Sequence, residues 1–280
     1  MQKYRYQDFH GEHSHQICVD GSWRPLIGTS RVGSVLSKPF AWYGSGKAVE
    51  AFGCPDAKVL TRIKNKKATG EEIDKHMAAM DVSLRLLKTM TVEQFAKLID
   101  QAYRAHDTYK RARAPIGKDL HAELERFVKD HMASYATGMH VQLGTYDPKI
   151  LPFILWTNEN VKRFLWSEGH NYSERNWVGG ICDAGYESVK GDFGIIDFKS
   201  AKEAYIDHFW QCAGYDINIS ENGVLTADGD LIYTLEKPIS EYCVFAFGAE
   251  KPKPQFNYDM TGSKEAFQAM LTIYRKLPQN

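Results

Sequence analysis

The sequence predicts an α/β protein in which a mixed central sheet is flanked by helices, with a helical subregion in its N-terminal part. Apolar residues recur at helical spacing between positions 70 and 110. Two apolar runs between positions 180 and 199 flank a glycine-containing turn, which is typical of a hairpin. Strand-like runs then alternate with turns over 223–247, and a last helix is expected over about 263–277.

Length and charge set the broad class of the protein. With 280 residues, the chain is long enough to bury a complete core as one domain without disulfides. Its net charge is zero, so a uniformly basic coat is excluded and any contact with nucleic acid must come from a local patch. Positions 58–118 hold fourteen basic against seven acidic residues. As a group they suit phosphate contact, although a solvated helix face is the simpler explanation for any single one.

The cysteines and the N-terminus predict a reducing, cytoplasmic location. Five cysteines are scattered without a C-x-x-C pair, which predicts neither a zinc site nor a disulfide framework. They are Cys18, Cys54, Cys182, Cys212 and Cys243. The N-terminus is too polar for a signal or transit peptide, and no stretch approaches about eighteen apolar residues, so no membrane partner is expected.

The first elements along the chain are short. Residues 1–30 alternate in polarity and then turn at Asp20 and Gly21, which predicts a hairpin. Residues 30–53 resemble a known entry segment, and this resemblance implies a short helix followed by an aromatic anchor. Trp42 and Tyr43 are interpreted there as core residues, with a base-stacking platform as the alternative.

Helices follow between positions 70 and 125. The capping box of Thr91 and Gln94 predicts that a second helix begins after a break near Met90. A third helix is expected to begin after Pro115.

The second half of the chain is predicted to form mainly strands. Residues 141–166 combine turns with apolar runs, and a strand beginning near Glu168 is expected to pair with the strand that ends in Asp183. Ser200 is expected to cap a helix over about 202–215.

Charged side chains close the two strands of the central hairpin. Asp183 and Asp197 are expected near one edge of the sheet, where two carboxylates can share a divalent cation. Lys199 lies two residues after Asp197, so both side chains point to one face of the strand and Phe198 to the other. An acid and an ammonium on one face suit a metal-activated water that attacks a phosphodiester.

These residues resemble a known active site. Asp183, the D-x-K element at 197–199, and the pair Gln211 and Tyr215 one helical turn apart are similar to the exonuclease branch of the PD-(D/E)XK nuclease superfamily. That branch includes RecB nuclease domains, RecE-type exonucleases, CRISPR-adaptation nucleases and the mitochondrial genome maintenance exonuclease. The resemblance covers roughly residues 25–275 and is closest over 180–215.

The resemblance implies a restriction-endonuclease-like fold that forms a single domain over 1–280. Residues 1–115 would be a mostly helical wall of a DNA channel, and residues 116–280 the catalytic core. The implied activity is a metal-dependent DNA exonuclease acting on single-stranded or duplex ends, associated with DNA recombination and repair, including that of phages. Relatives form rings or monomers, so the oligomeric state stays open.

A metal site is part of what the resemblance implies. Gly117 and His121 match the spacing of a G-T-x-x-H segment, while Lys118 departs from its usual Thr or Ser. His121 would bind the metal, the alternative being a packed or surface histidine, and an imidazole ligand suits Mn²⁺ well. The implied ligands of one or two Mg²⁺ or Mn²⁺ ions are His121, Asp183, Asp197, the main-chain carbonyl of Phe198 and, for a second ion, Glu168. Glu168 as a surface acid is nearly as good an interpretation.

Other roles follow from the same resemblance. Lys199 would orient or help deprotonate the attacking water, and Gln211 and Tyr215 would hold the hairpin or the DNA backbone, with a purely structural Tyr215 equally open. No iron–sulfur cluster is expected, because the C-terminal region supplies only Cys243. The alternatives are an endonuclease or structure-specific nuclease of the same fold, and a catalytically inactive nucleic-acid-binding protein.

Overall fold

The computed structural model describes residues 2–9, 12–36, 62–63, 65–138 and 145–277, and for residues 9, 12, 103, 106–116 and 118 it describes the backbone alone. The chain divides into two compact units, residues 1–36 with 117–280 and residues 37–116. The predicted aromatic anchor, Trp42 and Tyr43, lies outside the described residues. The predicted single domain, divided at 115/116, stays a prediction.

A three-stranded antiparallel sheet begins the chain. Its strands are β1 (Tyr4–Phe9), β2 (Glu12–Val19) and β3 (Ser22–Pro25), in that order. Asp20 and Gly21 connect β2 to β3 with φ of 52° and 77°, so the predicted hairpin is confirmed and β1 adds a strand to it. The short β4 (Ile27–Gly28) and α1 (Thr29–Val32) follow.

Two helices follow the gap in the described residues, and their break is the predicted one. They are α2 (Gly70–Thr89) and α3 (Val92–Thr137). The Thr91 amide donates to Gln94 Oε1 at 2.9 Å, and the Gln94 amide donates to Thr91 Oγ1 at 3.2 Å, which is the predicted capping box. The separate helix predicted after Pro115 is wrong, because α3 runs through that position. The arginines and alanines that precede Pro115 are good helix formers, and they help to offset the one hydrogen bond that a proline removes.

The larger sheet has eight strands. Seven follow the order β11-β10-β7-β6-β5-β8-β9, and β4 pairs with β6. The new strands are β5 (Val161–Ser173), β6 (Val178–Ser188), β7 (Phe193–Lys199), β8 (Val224–Leu225), β9 (Leu231–Tyr233), β10 (Ile239–Ala246) and β11 (Lys253–Asn257). The pairs β7–β10 and β4–β6 are parallel and the others antiparallel, so the predicted mixed sheet is confirmed.

Helices cover both faces of this sheet. α5 (Ile206–Asn222) and α6 (Met260–Lys276) pack on one face, and α4 (Leu151–Asn160) packs on the other together with the part of α3 beyond residue 117. Ile195 and Ile196, adjacent on β7, enter opposite cores because strand side chains alternate. Among the residues that the structure describes, no helix has the length and apolarity needed to cross a bilayer.

The start of α5 differs from the prediction. The helix begins at Ile206 rather than near 202, and the side chain of His208 accepts the Tyr205 amide at 3.2 Å, so Ser200 is not the cap. The carbonyl of Ala201 instead accepts the Gly248 amide at 2.8 Å, which holds this loop against the end of β10. A helix beginning at 202 would lose that bond.

Asp183 lies inside β6, not at its end as predicted. The strand continues for five residues to Ser188. Gly185 resembles a turn residue in sequence, yet it lies in the strand under the indole of Trp166, where an added Cβ would sit 2.2 Å from Trp166 Cζ2. A close approach between neighbouring strands, rather than a turn, therefore requires this glycine.

The N-terminal sheet packs on β5 through aromatic and imidazole rings. Tyr4 stacks on Tyr172 with ring centroids 5.2 Å apart. The Tyr4 hydroxyl lies 2.6 Å from His15 Nδ1 and 3.2 Å from His170 Nδ1, so one phenol links two buried imidazoles. The pKa of His15 is lowered to about 3, chiefly by burial and also by His170 and His13. Burial likewise lowers the pKa of His170 to about 4, and Asp228 opposes this.

These histidines predict a loss of stability in mild acid. In the unfolded chain each binds a proton below about pH 6.5, whereas in the folded chain each stays neutral until about pH 3 to 4. The stability that these two neutral histidines allow is therefore fully present above the unfolded pKa. As the pH decreases below that value, the free energy of unfolding decreases by up to about 1.4 kcal/mol per pH unit for each histidine. Urea unfolding between about pH 7.5 and about pH 4.5 measures the slope. His15→Gln should reduce it and His76→Gln on α2 should not; equal slopes in all three proteins would contradict this assignment.

Candidate active site

A buried ion pair lies at the end of β7. Asp197 is 1 % exposed, and the Lys199 ammonium lies 2.8 Å from its Oδ1 and 2.7 Å from its Oδ2. Only the contact with Oδ1 has the angles of a hydrogen bond, so buried Oδ2 keeps its lone pairs beside a positive charge. The predicted shared face of these two side chains is confirmed.

Electrostatics keep the ammonium protonated. Burial raises the pKa of Asp197, and the nearby Lys199 opposes this. Burial alone lowers the pKa of Lys199, but the charges of Asp197 and Asp183 outweigh it, and the pKa of the lysine is raised. The proton of the pair therefore resides on the lysine.

Asp183 is linked to this ion pair by a hydrogen bond to the backbone of the intervening residue, Phe198. Its Oδ2 accepts the Phe198 amide at 2.6 Å. The pairing of β6 with β7 ends at Ala184 and Ile196, so the carboxylate takes the place of the next ladder partner. In an extended strand the N–H and C=O of one residue point toward the same neighbour, so the Phe198 carbonyl faces the same gap as Asp183.

His121 reaches the same place from α3. Its Nδ1 lies 4.0 Å from Asp183 Oδ1, and its ring meets the ring of Phe198 edge-on, with centroids 6.2 Å apart. The side chain is 39 % exposed, so it lines an accessible surface. Gly117, one turn earlier, faces Ser200, the residue after Lys199. The structure thus brings together the imidazole and the carboxylates that the sequence singled out.

Glu168 lies on β5 across from Asp183. The register pairs Ser167 with Ala184 and Gly169 with Cys182, and Glu168 stands between them with a left-handed φ of 49°. The pKa of Glu168 is raised to about 8, chiefly by burial and also by the charges of Asp183 and Glu125, while Lys129 opposes the rise. Glu168 is therefore part of the acidic cluster and not a solvated acid on an edge strand.

Three residues near the site were missed in the sequence. Glu125 and Lys129 form an ion pair on α3, one and two turns after His121, and both act on Glu168. The i, i+4 spacing of His121, Glu125 and Lys129 could have indicated this face. His208, buried in the first turn of α5, acts on Asp197 and lies on the face that carries Gln211 and Tyr215. No local pattern distinguished it.

Gln211 and Tyr215 contact each other as their spacing predicts. Gln211 Nε2 donates to Tyr215 Oη at 2.5 Å. Tyr215 is buried against Gly180, three residues before Asp183, and an added Cβ there would lie 2.7 Å from the tyrosine ring. Burial raises the pKa of Tyr215, and the charges of Asp197 and Asp183 add to this. The pair therefore supports the strand that holds Asp183.

The donor set can be tested against a metal ion. Among the described residues, no group of three or more His, Cys, Asp or Glu side chains is placed so that together they could hold a metal ion. A hard cation such as Mg²⁺ needs no such cage, because it keeps several waters and uses one or two carboxylates. Asp197 Oδ2, which accepts no hydrogen bond, and the carboxylate of Asp183 fit that requirement, and the Phe198 carbonyl adds a neutral oxygen.

Comparison with known proteins adds no family to this geometry. No protein-family model matches the chain, and a search of curated proteins found no match. The chemistry must therefore be inferred from the side chains themselves. Acidic oxygens, an imidazole and a buried ammonium on neighbouring elements form an arrangement suited to a metal-assisted hydrolysis of an anionic ester.

Metal binding is predicted to depend on the two aspartates. Asp183→Asn keeps an oxygen for the Phe198 amide but loses the charge, so Mn²⁺ affinity should fall on the order of tenfold or more, and Asp197→Asn should behave alike. Isothermal titration calorimetry with Mn²⁺ measures the affinity. Glu265→Gln, at an exposed position of α6, is the matched control. Wild-type affinity in both aspartate variants would exclude these carboxylates as ligands.

Proposed function

We propose that this protein is a metal-dependent deoxyribonuclease with a restriction-endonuclease-like fold, which hydrolyses DNA phosphodiester bonds from DNA ends. One observation carries the proposal: the buried Asp197–Lys199 pair lies beside Asp183, and His121 reaches that carboxylate from another element. A carboxylate pair with an adjacent ammonium is suited to a phosphodiester, which is anionic and resists attack by water alone.

The metal would be held by residues from three elements. Asp183, Asp197 and the Phe198 carbonyl would supply oxygen ligands, and His121 would supply nitrogen, which favours Mn²⁺ beside Mg²⁺. Glu168 would contribute to a second ion. A bound divalent ion polarises the phosphoryl oxygen and lowers the pKa of a bound water.

The chain's own side chains orient the reactants. Lys199 is fixed by Asp197 and presents its ammonium at the site, where it would orient the attacking water and stabilise charge on the phosphate. Gln211 and Tyr215 would hold the strand of Asp183 in place behind the site. The basic residues of positions 58–118 would contribute phosphate contacts to DNA.

Lys199→Ala is predicted to abolish most DNA hydrolysis. Loss of the ammonium should lower the rate about 100-fold or more, because one preorganised charge at the reacting phosphate disappears. End-labelled linear DNA with Mg²⁺ or Mn²⁺ measures the rate. Lys202→Ala, three residues away at an exposed position, is the control and should keep full activity. Equal rates for wild type and Lys199→Ala would show that the assigned chemistry is wrong, and an inactive wild type would favour a nucleic-acid-binding protein.

Action from DNA ends is predicted separately. An exonuclease should degrade linear single- or double-stranded DNA and leave covalently closed circles of both kinds intact. Gel analysis of matched linear and circular forms of one sequence measures this. Cleavage of intact circles at a rate similar to that of linear DNA would assign an endonuclease or structure-specific nuclease instead.

A further inference from the structure

A cavity lies at the end of the β6–β7 hairpin that is remote from Asp183. It encloses about 340 Å³ between the turn after Ser188, the end of α4, and strands β10 and β11. Ser188 lies five positions after Asp183 on β6, which corresponds to roughly 16 Å at about 3.3 Å per residue. The cavity is therefore distinct from the candidate active site, and its size is within the range of small-ligand sites.

Aromatic rings form the apolar wall of this cavity. Trp156 of α4 lies 6.2 Å from Phe256 between ring centroids, and Phe256 stacks on Tyr258 at 5.9 Å and 13°. Tyr258 is 67 % exposed, so a large ring stands in water at the mouth of the cavity. Such nearly parallel rings present flat, electron-rich faces.

Acidic groups form the polar end. Tyr186, buried in β6, donates its hydroxyl to Glu241 Oε1, which leaves the other carboxylate oxygen available to a ligand. Asp192 stands on the turn opposite. Burial raises the pKa of Tyr258, and the charges of Glu241 and Asp192 contribute, which indicates that both acids act at the aromatic mouth. Lys190 is the one basic residue among the described residues that line the cavity, so its balance is negative.

We propose that this cavity binds a guanidinium group. A cation is attracted both to the exposed ring of Tyr258 and to the carboxylates of Glu241 and Asp192, whereas a phosphate-bearing ligand would be repelled. The guanidinium is favoured over an ammonium because it is planar, is weakly hydrated, stacks on aromatic rings and pairs with carboxylates through two donors. The site does not depend on the proposed nuclease function.

Arginine amide is the probe for this site. Its binding to the full chain, measured by isothermal titration calorimetry, should be saturable and should weaken about tenfold in Glu241→Gln and in Tyr258→Ala. Glu265→Gln and Tyr135→Ala, at exposed positions elsewhere, should bind as the wild type does. Because Glu241 is bonded to Tyr186, Asp192→Asn is the second variant; it leaves that bond intact and should also weaken binding.

Further ligands decide the chemical class. Lysine amide should bind more weakly than arginine amide. Equal affinities would overturn the claim that the cavity recognises a planar guanidinium group. Tighter binding of a deoxynucleoside than of arginine amide, absence of saturable binding, or unchanged affinity in both Glu241→Gln and Asp192→Asn would also overturn the proposal. Free arginine carries a carboxylate that the amide lacks. If the amide binds more tightly than free arginine, the source is an arginine within a peptide, and the reverse order assigns the free amino acid; either result supports the site.

Discussion

The ion pair of Asp197 and Lys199 is the interaction on which the candidate site depends. Taking two charges out of water costs several kcal/mol for each, and only close pairing and further hydrogen bonds compensate for this. Here the pair is close, and Asp183 adds a second negative charge that stabilises the ammonium. Losing either partner would strand a charge in the core, typically at a cost of about 3–5 kcal/mol. Such a pair is a poor way to gain stability, and this favours a functional reason for its presence.

Local signals in the sequence predicted much of the fold. The capping box of Thr91 and the hairpin turn at Asp20 and Gly21 each depend on a few neighbouring residues, and both are found in the structure. The errors arose where distant residues decide. Gly185 is explained by Trp166 on the neighbouring strand, and the start of α5 by a bond between the loop after Lys199 and the end of β10.

The candidate site shows the same division. The contact of Asp197 with Lys199 follows from the period of one strand, and the contact of Gln211 with Tyr215 from one helical turn. Resemblance, rather than spacing, singled out His121 and Glu168, because only the folded sheet brings α3 and β5 to Asp183. Lys129 and His208 were missed because their relevance depends on side chains that lie far away in sequence.

The N-terminal sheet has a consequence for the order in which the chain assembles during synthesis. β1 to β4 emerge from the ribosome first, yet their partners come much later: the Tyr6 amide donates to the Ala227 carbonyl, and the Ile27 amide to that of Trp177. The contact of Tyr4 with His170, two residues beyond Glu168, likewise cannot form until that later residue has been synthesised. β1, β2 and β3 can pair with one another, but their sheet would remain without its packing partners until the chain has been made as far as Ala227, which is the situation in which chaperones protect a growing polypeptide.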